Sequence, residues 1–78
     1  MARLLLLGPA REAAGISSEE IAGETVASIL QEAVRRYGTA FEEVLSVSQI
    51  WVNGDPADAL DAIGPHDEIA VLPPISGG

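Results

Sequence analysis

The residues of this sequence best suited to chemistry stand at its C-terminal end, Leu72-Pro73-Pro74-Ile75-Ser76-Gly77-Gly78. With no Cβ at Gly77 or Gly78, a terminal carboxylate can pass a narrow channel and stay open to attack from both sides. Pro73 and Pro74 cannot extend a hydrogen-bonded ladder and favour extended polyproline geometry, so they point the end of the chain outward and stiffen its start. The stretch after Leu72, fully extended, reaches roughly 20 Å, enough to thread into an active site on another protein. Ile75 is the apolar anchor within the tail and Ser76 a spacer. A carboxylate is a poor electrophile, so its plausible use is activation by ATP to an acyl-adenylate followed by capture by a nucleophile.

The other reactive groups narrow the choice. Cysteine is absent, which removes disulfides, a thiolate nucleophile and cysteine-ligated metal. Any sulfur carried here must therefore sit on the carboxyl group of Gly78 as a thiocarboxylate. Lysine is absent too, so side-chain-linked chains cannot be built on this protein itself. His66, the one histidine, has only Asp61, Asp67 and Glu68 near it in sequence and reads as a solvated turn residue; no metal site is expected. No nucleophile and base pair presents itself. Arg11 fits either a loop ion pair or a contact to an activating enzyme, and the loop role is favoured.

With 12 acidic residues against 4 basic ones, the net charge of −8 repels nucleic-acid backbones and anionic lipid, and suits a partner with a basic docking face. The apolar run 4–7 is shorter than the roughly 7–15 residues of a secretory signal. Nothing approaches the roughly 20 apolar residues of a membrane span. A cytoplasmic location is expected.

These 78 residues are enough for one domain, 1–78, with 73–78 as an extended tail. Positions 2–7 are nearly all apolar and read as a strand with both faces covered in whole or in part. Pro9 through Ala14 suits one helical turn stopped by Gly15, and 16–22 alternates weakly as a second strand. The clearest helix begins after Thr25, whose hydroxyl caps it, and carries the stripe Val26, Ile29, Leu30, Ala33, Val34, Tyr37. Glu32 and Arg36 pair at i,i+4, and Gly38 supplies a left-handed stop. A short helix over 39–45 carries Phe41, Val44 and Leu45; a strand over 49–52 follows. Asn53-Gly54 signals a tight turn, but Pro56 makes the returning strand short or irregular. Gly64-Pro65 marks another turn before the last strand, 68–72.

This order describes an α+β domain of the β-grasp (ubiquitin-like) kind, a mixed sheet wrapped around one main helix. One helix covers one face. If Leu4, Leu6, Ile50, Val52, Ile69 and Val71 face it, alternation places Leu5, Leu7, Trp51 and Leu72 on the other side, as a patch for a protein partner.

Four stretches together resemble the small subunit of molybdopterin synthase, the MoaD family of ubiquitin-like sulfur carriers. They are the opening apolar strand leading to Arg11-Glu12, the helix over 25–38, Val52-Asn53-Gly54, and Asp67-Glu68-Ile69 running into Pro73-Pro74 and Gly77-Gly78. The Gly-Gly end is shared by all ubiquitin-like carriers; Pro-Pro-x-x-Gly-Gly after an Asp-Glu-apolar strand is narrower. The resemblance implies that Gly78 is adenylated by an E1-like enzyme using ATP, converted to a thiocarboxylate, and inserted into the large synthase subunit to donate sulfur to a pterin precursor. It implies a consumed and recycled donor rather than a catalyst, with no permanently bound cofactor. Two departures stand out: Pro65-His66 replaces the usual Asp-Gly before the Asp-Glu pair, and Pro56 falls where a strand residue near the partner surface is usual. The same residues suit a carrier for thiazole, tRNA thiolation or cysteine, a protein modifier acting through Gly78, or a β-grasp binding module.

Overall fold

Along β1 (Ala2–Leu6) burial alternates: Ala2, Leu4 and Leu6 are buried, Arg3 is exposed and Leu5 lies between. That is the mark of a strand with one face in a core and the other on a surface. A computed structural model describes residues 1–74, and Ile75, Ser76, Gly77 and Gly78 lie outside the described residues. After β1 come α1 (Pro9–Ala14), β2 (Ser18–Ile21), α2 (Val26–Tyr37), α3 (Thr39–Ser46), β3 (Gln49–Val52), β4 (Asp55–Pro56) and β5 (Glu68–Leu72).

The strands form one mixed sheet in the order β2-β1-β5-β3-β4. β1 and β5 run parallel at its centre, with Leu4 opposite Ile69 and Leu6 opposite Val71; β2, β3 and β4 pair antiparallel to their neighbours. A parallel pair needs a crossover connection, and here α2 and α3 occupy it and cover one face of the sheet. This is the β-grasp fold.

Helix α2 follows from its sequence. Thr25 accepts a bond from the Ser28 amide at 3.1 Å while Ser28 Oγ accepts from the Thr25 amide at 3.0 Å, a reciprocal cap. Val26, Ile29 and Ala33 are buried against the sheet, and Leu30, Val34 and Tyr37 pack at the margin of the core. Phe41 of α3 is fully buried and meets Tyr37 edge-on, with ring centroids 5.1 Å apart.

Gly38 does not take the left-handed stop expected of it. Its φ of 95° is positive but its ψ is −169°, because it serves both as the cap ending α2 and as the cap opening α3, and the second role needs an extended ψ. The first two strands are also shorter than expected. β1 stops at Leu6 because Gly8, at φ 57°, turns the chain into α1, and β2 begins only at Ser18, where pairing with Leu5 starts. The Asn53-Gly54 turn behaves as its residues dictate, with φ of 52° and 86°, and returns only the two residues of β4.

The segment from 57 to 64 closes the remaining side of the core. It lends the carbonyls of Ala59 and Asp61 to the Ala27 and Val26 amides, donors that the first turn of a helix otherwise leaves free, and it buries Ile63.

Candidate functional site

Residues directly opposite on paired strands share a face, so the registers define the surface turned away from the helices. Leu5 lies opposite Ala70 and Ala70 opposite Trp51, one row across three strands. Leu72, opposite Gln49, occupies the next row, and Leu7 continues the line of Leu5 with its amide donating to the Val71 carbonyl at 3.2 Å. Leu5, Leu7, Trp51 and Leu72 thus share one face, as their alternation predicts. Leu5, Trp51 and Leu72 are half-buried and Leu7 is 42% exposed. The indole of Trp51 is oriented by its Nε1–H, which donates to Gln49 Oε1 at 3.1 Å. Along one edge the register sets Arg3 between Glu20 and Glu68, so the apolar centre has a charged margin.

Two participants escape a search for large apolar residues. Ala70 is the centre of the row, legible only through its parity with Leu72. Gln49 fixes the indole, legible only through its i,i+2 spacing to Trp51.

The last strand residue before the prolines, Leu72, lies on this same surface. β5 ends at Leu72, the residue before the prolines, and Pro73 sits over Gly8: a Cβ placed on Gly8 lies 3.6 Å from the Pro73 ring. Pro73 and Pro74 are exposed. A cleft lined by Leu5, Leu7, Gly8, Arg11 and Ser17 shares Gly8 with the Pro73 contact. Among the described residues Arg11 makes no ion pair, so the loop role favoured for it has no bond behind it.

Outside the surface, two polar networks hold its frame. Asp67 accepts from the Asn53 side chain at 2.9 Å and from the Gly64 amide at 2.7 Å, while Asn53 Oδ1 accepts from the Glu68 amide at 2.9 Å. The Gly64 amide, then the Asn53 side chain, hold the Asp67 carboxyl below its ordinary value. The second network ties the end of α2 to β2. The Tyr37 hydroxyl donates to Glu19, Arg36 meets the other Glu19 oxygen at 3.1 Å, and Glu32 accepts from both Arg35 and Arg36. The bonds from Arg35 and then Arg36 bring the Glu32 carboxyl down to about 2. His66 is exposed, and among the described residues no group of three or more metal-ligating side chains occurs.

This frame joins Val52-Asn53-Gly54 to Asp67-Glu68-Ile69, two separate stretches of sequence, at the foot of the strand that carries the tail. Residues 4–78 match the ThiS family. The chain belongs to the ThiS family. It is therefore a ubiquitin-like sulfur carrier of the ThiS and MoaD type. The ThiS-family fold recurs in the small archaeal modifier protein 1 (SAMP1) from Methanosarcina acetivorans, 27% identical with a TM-score of 0.85 over 99% of this chain and 95% of that one. It recurs in a putative molybdopterin converting factor, subunit 1, from Pyrococcus furiosus, 24% identical with a TM-score of 0.84 over 95% and 97%. A chain in the complex of subunits 1 and 2 of the molybdopterin-converting factor from Helicobacter pylori is 23% identical, with a TM-score of 0.71 over 99% and 97%. No curated protein matches the chain in sequence. Among the described residues of this ThiS-family chain, no helix is long and apolar enough to cross a membrane.

Proposed function

We propose that this chain carries sulfur for molybdopterin synthesis, on the carboxyl group of Gly78. The observation that carries the reading is the continuity between the apolar face and the tail exit: Leu5, Ala70, Trp51 and Leu72 lead directly to Pro73 and Pro74. A partner bound to that face receives the tail without any rearrangement of the sheet.

An E1-like enzyme docked on the face lets the Gly78 carboxylate attack the α-phosphorus of ATP, forming the acyl-adenylate and releasing pyrophosphate. A sulfur nucleophile at the oxidation level of sulfide then attacks the carbonyl carbon, and AMP leaves with its bonding electron pair. The resulting thiocarboxylate is inserted into the large subunit of molybdopterin synthase, where its sulfur attacks a carbon of the pterin precursor; water then adds to the Gly78 carbonyl carbon, the C–S bond breaks with its electron pair going to the sulfur left on the pterin, and the chain returns as the carboxylate. ATP is consumed on the activating partner, and this chain holds no permanent cofactor. The Pro-Pro-x-x-Gly-Gly ending after the Asp67-Glu68-Ile69 strand favours molybdopterin over the sibling thiazole, tRNA and cysteine routes, and the subunit 1 likeness agrees with it.

Reconstitution tests this. Thiocarboxylated chain mixed with the large subunit and pterin precursor is expected to yield molybdopterin, and a chain lacking Gly77-Gly78 none. Failure of the thiocarboxylated chain there, with sulfur transfer to a thiazole, tRNA or cysteine precursor instead, overturns the pathway assignment. The likeness to SAMP1, a protein named as a modifier, favours a second reading in which Gly78 is joined to lysines of other proteins. Trapped isopeptide conjugates support that reading.

A further inference from the structure

The helical side carries a second apolar surface, separate from the sheet face. α3 folds back along α2, and between them runs a groove of about 410 Å³ floored by Ala27, Leu30, Val34 and Leu45. Ala27, Leu30 and Val34 stand at i, i+3 and i+7, on the flank of the stripe Val26, Ile29 and Ala33 that fills the core, and Leu30 and Val34 keep part of their surface against that core. Two large apolar side chains with little cover stand in the segments that adjoin the groove's Ala27 and Ser46 residues. Leu60 is 86% exposed and adjoins Ala59, whose carbonyl accepts from the Ala27 amide at 2.8 Å; Val47, next in chain to Ser46, is 62% exposed.

The charged side chain lining this groove is acidic. Glu42 is the charged residue in its lining, with Glu43 beside it on α3, and Asp58 and Asp61 flank Leu60. Arg35, the nearest cation along the α2 sequence, is drawn to Glu32 at 2.6 Å. An anionic margin disfavours a second copy of this chain, nucleic acid and anionic lipid alike, since each brings further negative charge. An open trough between two helices, apolar at Ala27, Leu30, Val34 and Leu45 and polar at Gln31, Glu42 and Ser46, fits an amphipathic helix laid along it.

We propose that the α2–α3 groove docks a cationic amphipathic helix of a partner protein, apolar on one face and flanked by lysine or arginine. Leu60 and Val47 extend the apolar floor, and Glu42, Asp58 and Asp61 pair with the flanking cations. Because the groove lies between the two helices and the Leu5, Ala70 and Trp51 row lies on the other face of the sheet, such a partner holds the carrier while a second partner occupies that row. This goes beyond the sulfur-transfer reading and stands whether or not molybdopterin is the destination.

The test uses the full chain and a synthetic helical peptide of leucine and lysine with its leucines on one face, followed by amide chemical shifts. Saturable binding is expected, with shifts centred on Ala27, Leu30, Val34, Leu45 and Leu60. The surface changes Leu60→Asp and Glu42→Arg together are expected to weaken it about tenfold or more, with thermal unfolding unaltered, while Trp51→Ala leaves it unchanged. Shifts centred on Leu5, Ala70 and Trp51, equal affinity of the Leu60→Asp, Glu42→Arg chain, equal binding of the same peptide with glutamate for lysine, or no saturable binding would each overturn the proposal.

Discussion

The side-chain amide of Asn53 donates to Asp67 Oδ1 at 2.9 Å, across 14 positions of sequence, and the same two residues fix the turn before β3 returns and the turn before β5 begins. Asn53 does this from a left-handed conformation, φ 52°, which asparagine tolerates better than most residues. Asn53→Gly removes the side-chain bonds but keeps the conformation; Asn53→Ala loses both. The alanine variant is expected to be the less stable of the two by about 1 kcal/mol in urea unfolding.

The same pair sets an acid limit. The Asp67 carboxyl sits below its ordinary value because it accepts from the Gly64 amide and the Asn53 side chain. Its stabilising contribution is therefore present above the unfolded carboxylate value and is lost as pH falls through the lower folded value. Carboxyl carbon shifts should show Asp67 titrating below the ordinary aspartate value, and Asn53→Gly should bring it back toward that value.

Gly23 is required for space rather than for its dihedral angles. A Cβ there would lie 2.6 Å from Ile29 Cγ1 and 2.8 Å from Ser28 Oγ, displacing both a core side chain and the reciprocal cap of α2. Gly23→Ala is expected to cost about 1–3 kcal/mol, an overpacking effect. Gly64→Ala, whose nearest neighbour would be Asp67 Oδ2 at 3.6 Å, is expected to be milder. Equal denaturation midpoints for the two variants would contradict the packing described for Gly23.

Tyr37, the one tyrosine of the chain, reports on the link between α2 and β2. Burial first, and then its bond to the Glu19 carboxylate, push its phenol above the ordinary value. A raised folded value gives stability that is complete below the unfolded phenol value and disappears as pH rises through the folded one. Phenolate absorbance is expected to appear later on the alkaline side than for free tyrosine, and Glu19→Gln should move it earlier. Titration at the free-tyrosine position would mean that the Glu19 link is not formed in solution.

Much of this was legible in residue order. Thr25 caps, the i, i+3, i+4, i+7 stripe of α2 faces inward, Pro73 follows the last strand residue, and alternation along 4–7 places Leu5 and Leu7 on the outer face. These are local rules, set by one residue and its near neighbours. What sequence could not supply was pairing at a distance: Ala70 between Leu5 and Trp51, Asn53 on Asp67, Tyr37 on Glu19. The double duty of Gly38 was missed because it depends on α3 beginning at once, not on the helix it ends.

Trp51 is the large aromatic at the middle of the outer face, half-buried and held by Gln49. Aromatic anchors of this kind carry much of an interface's energy. Trp51→Ala is expected to raise the KM of the carrier in the adenylation reaction by about thirtyfold, near 2 kcal/mol of lost docking, with a smaller change in kcat. An unchanged KM would place the docking surface elsewhere.

The most direct measurement is the intact mass of the chain after incubation with an E1-like adenylating enzyme, ATP and a sulfur source, with fragmentation to locate any change. A sulfur carrier gains the mass difference between sulfur and oxygen, on the fragment that contains Gly78 and nowhere else. A chain whose mass stays unaltered under conditions that consume ATP, or whose added sulfur lies away from Gly78, would contradict the account.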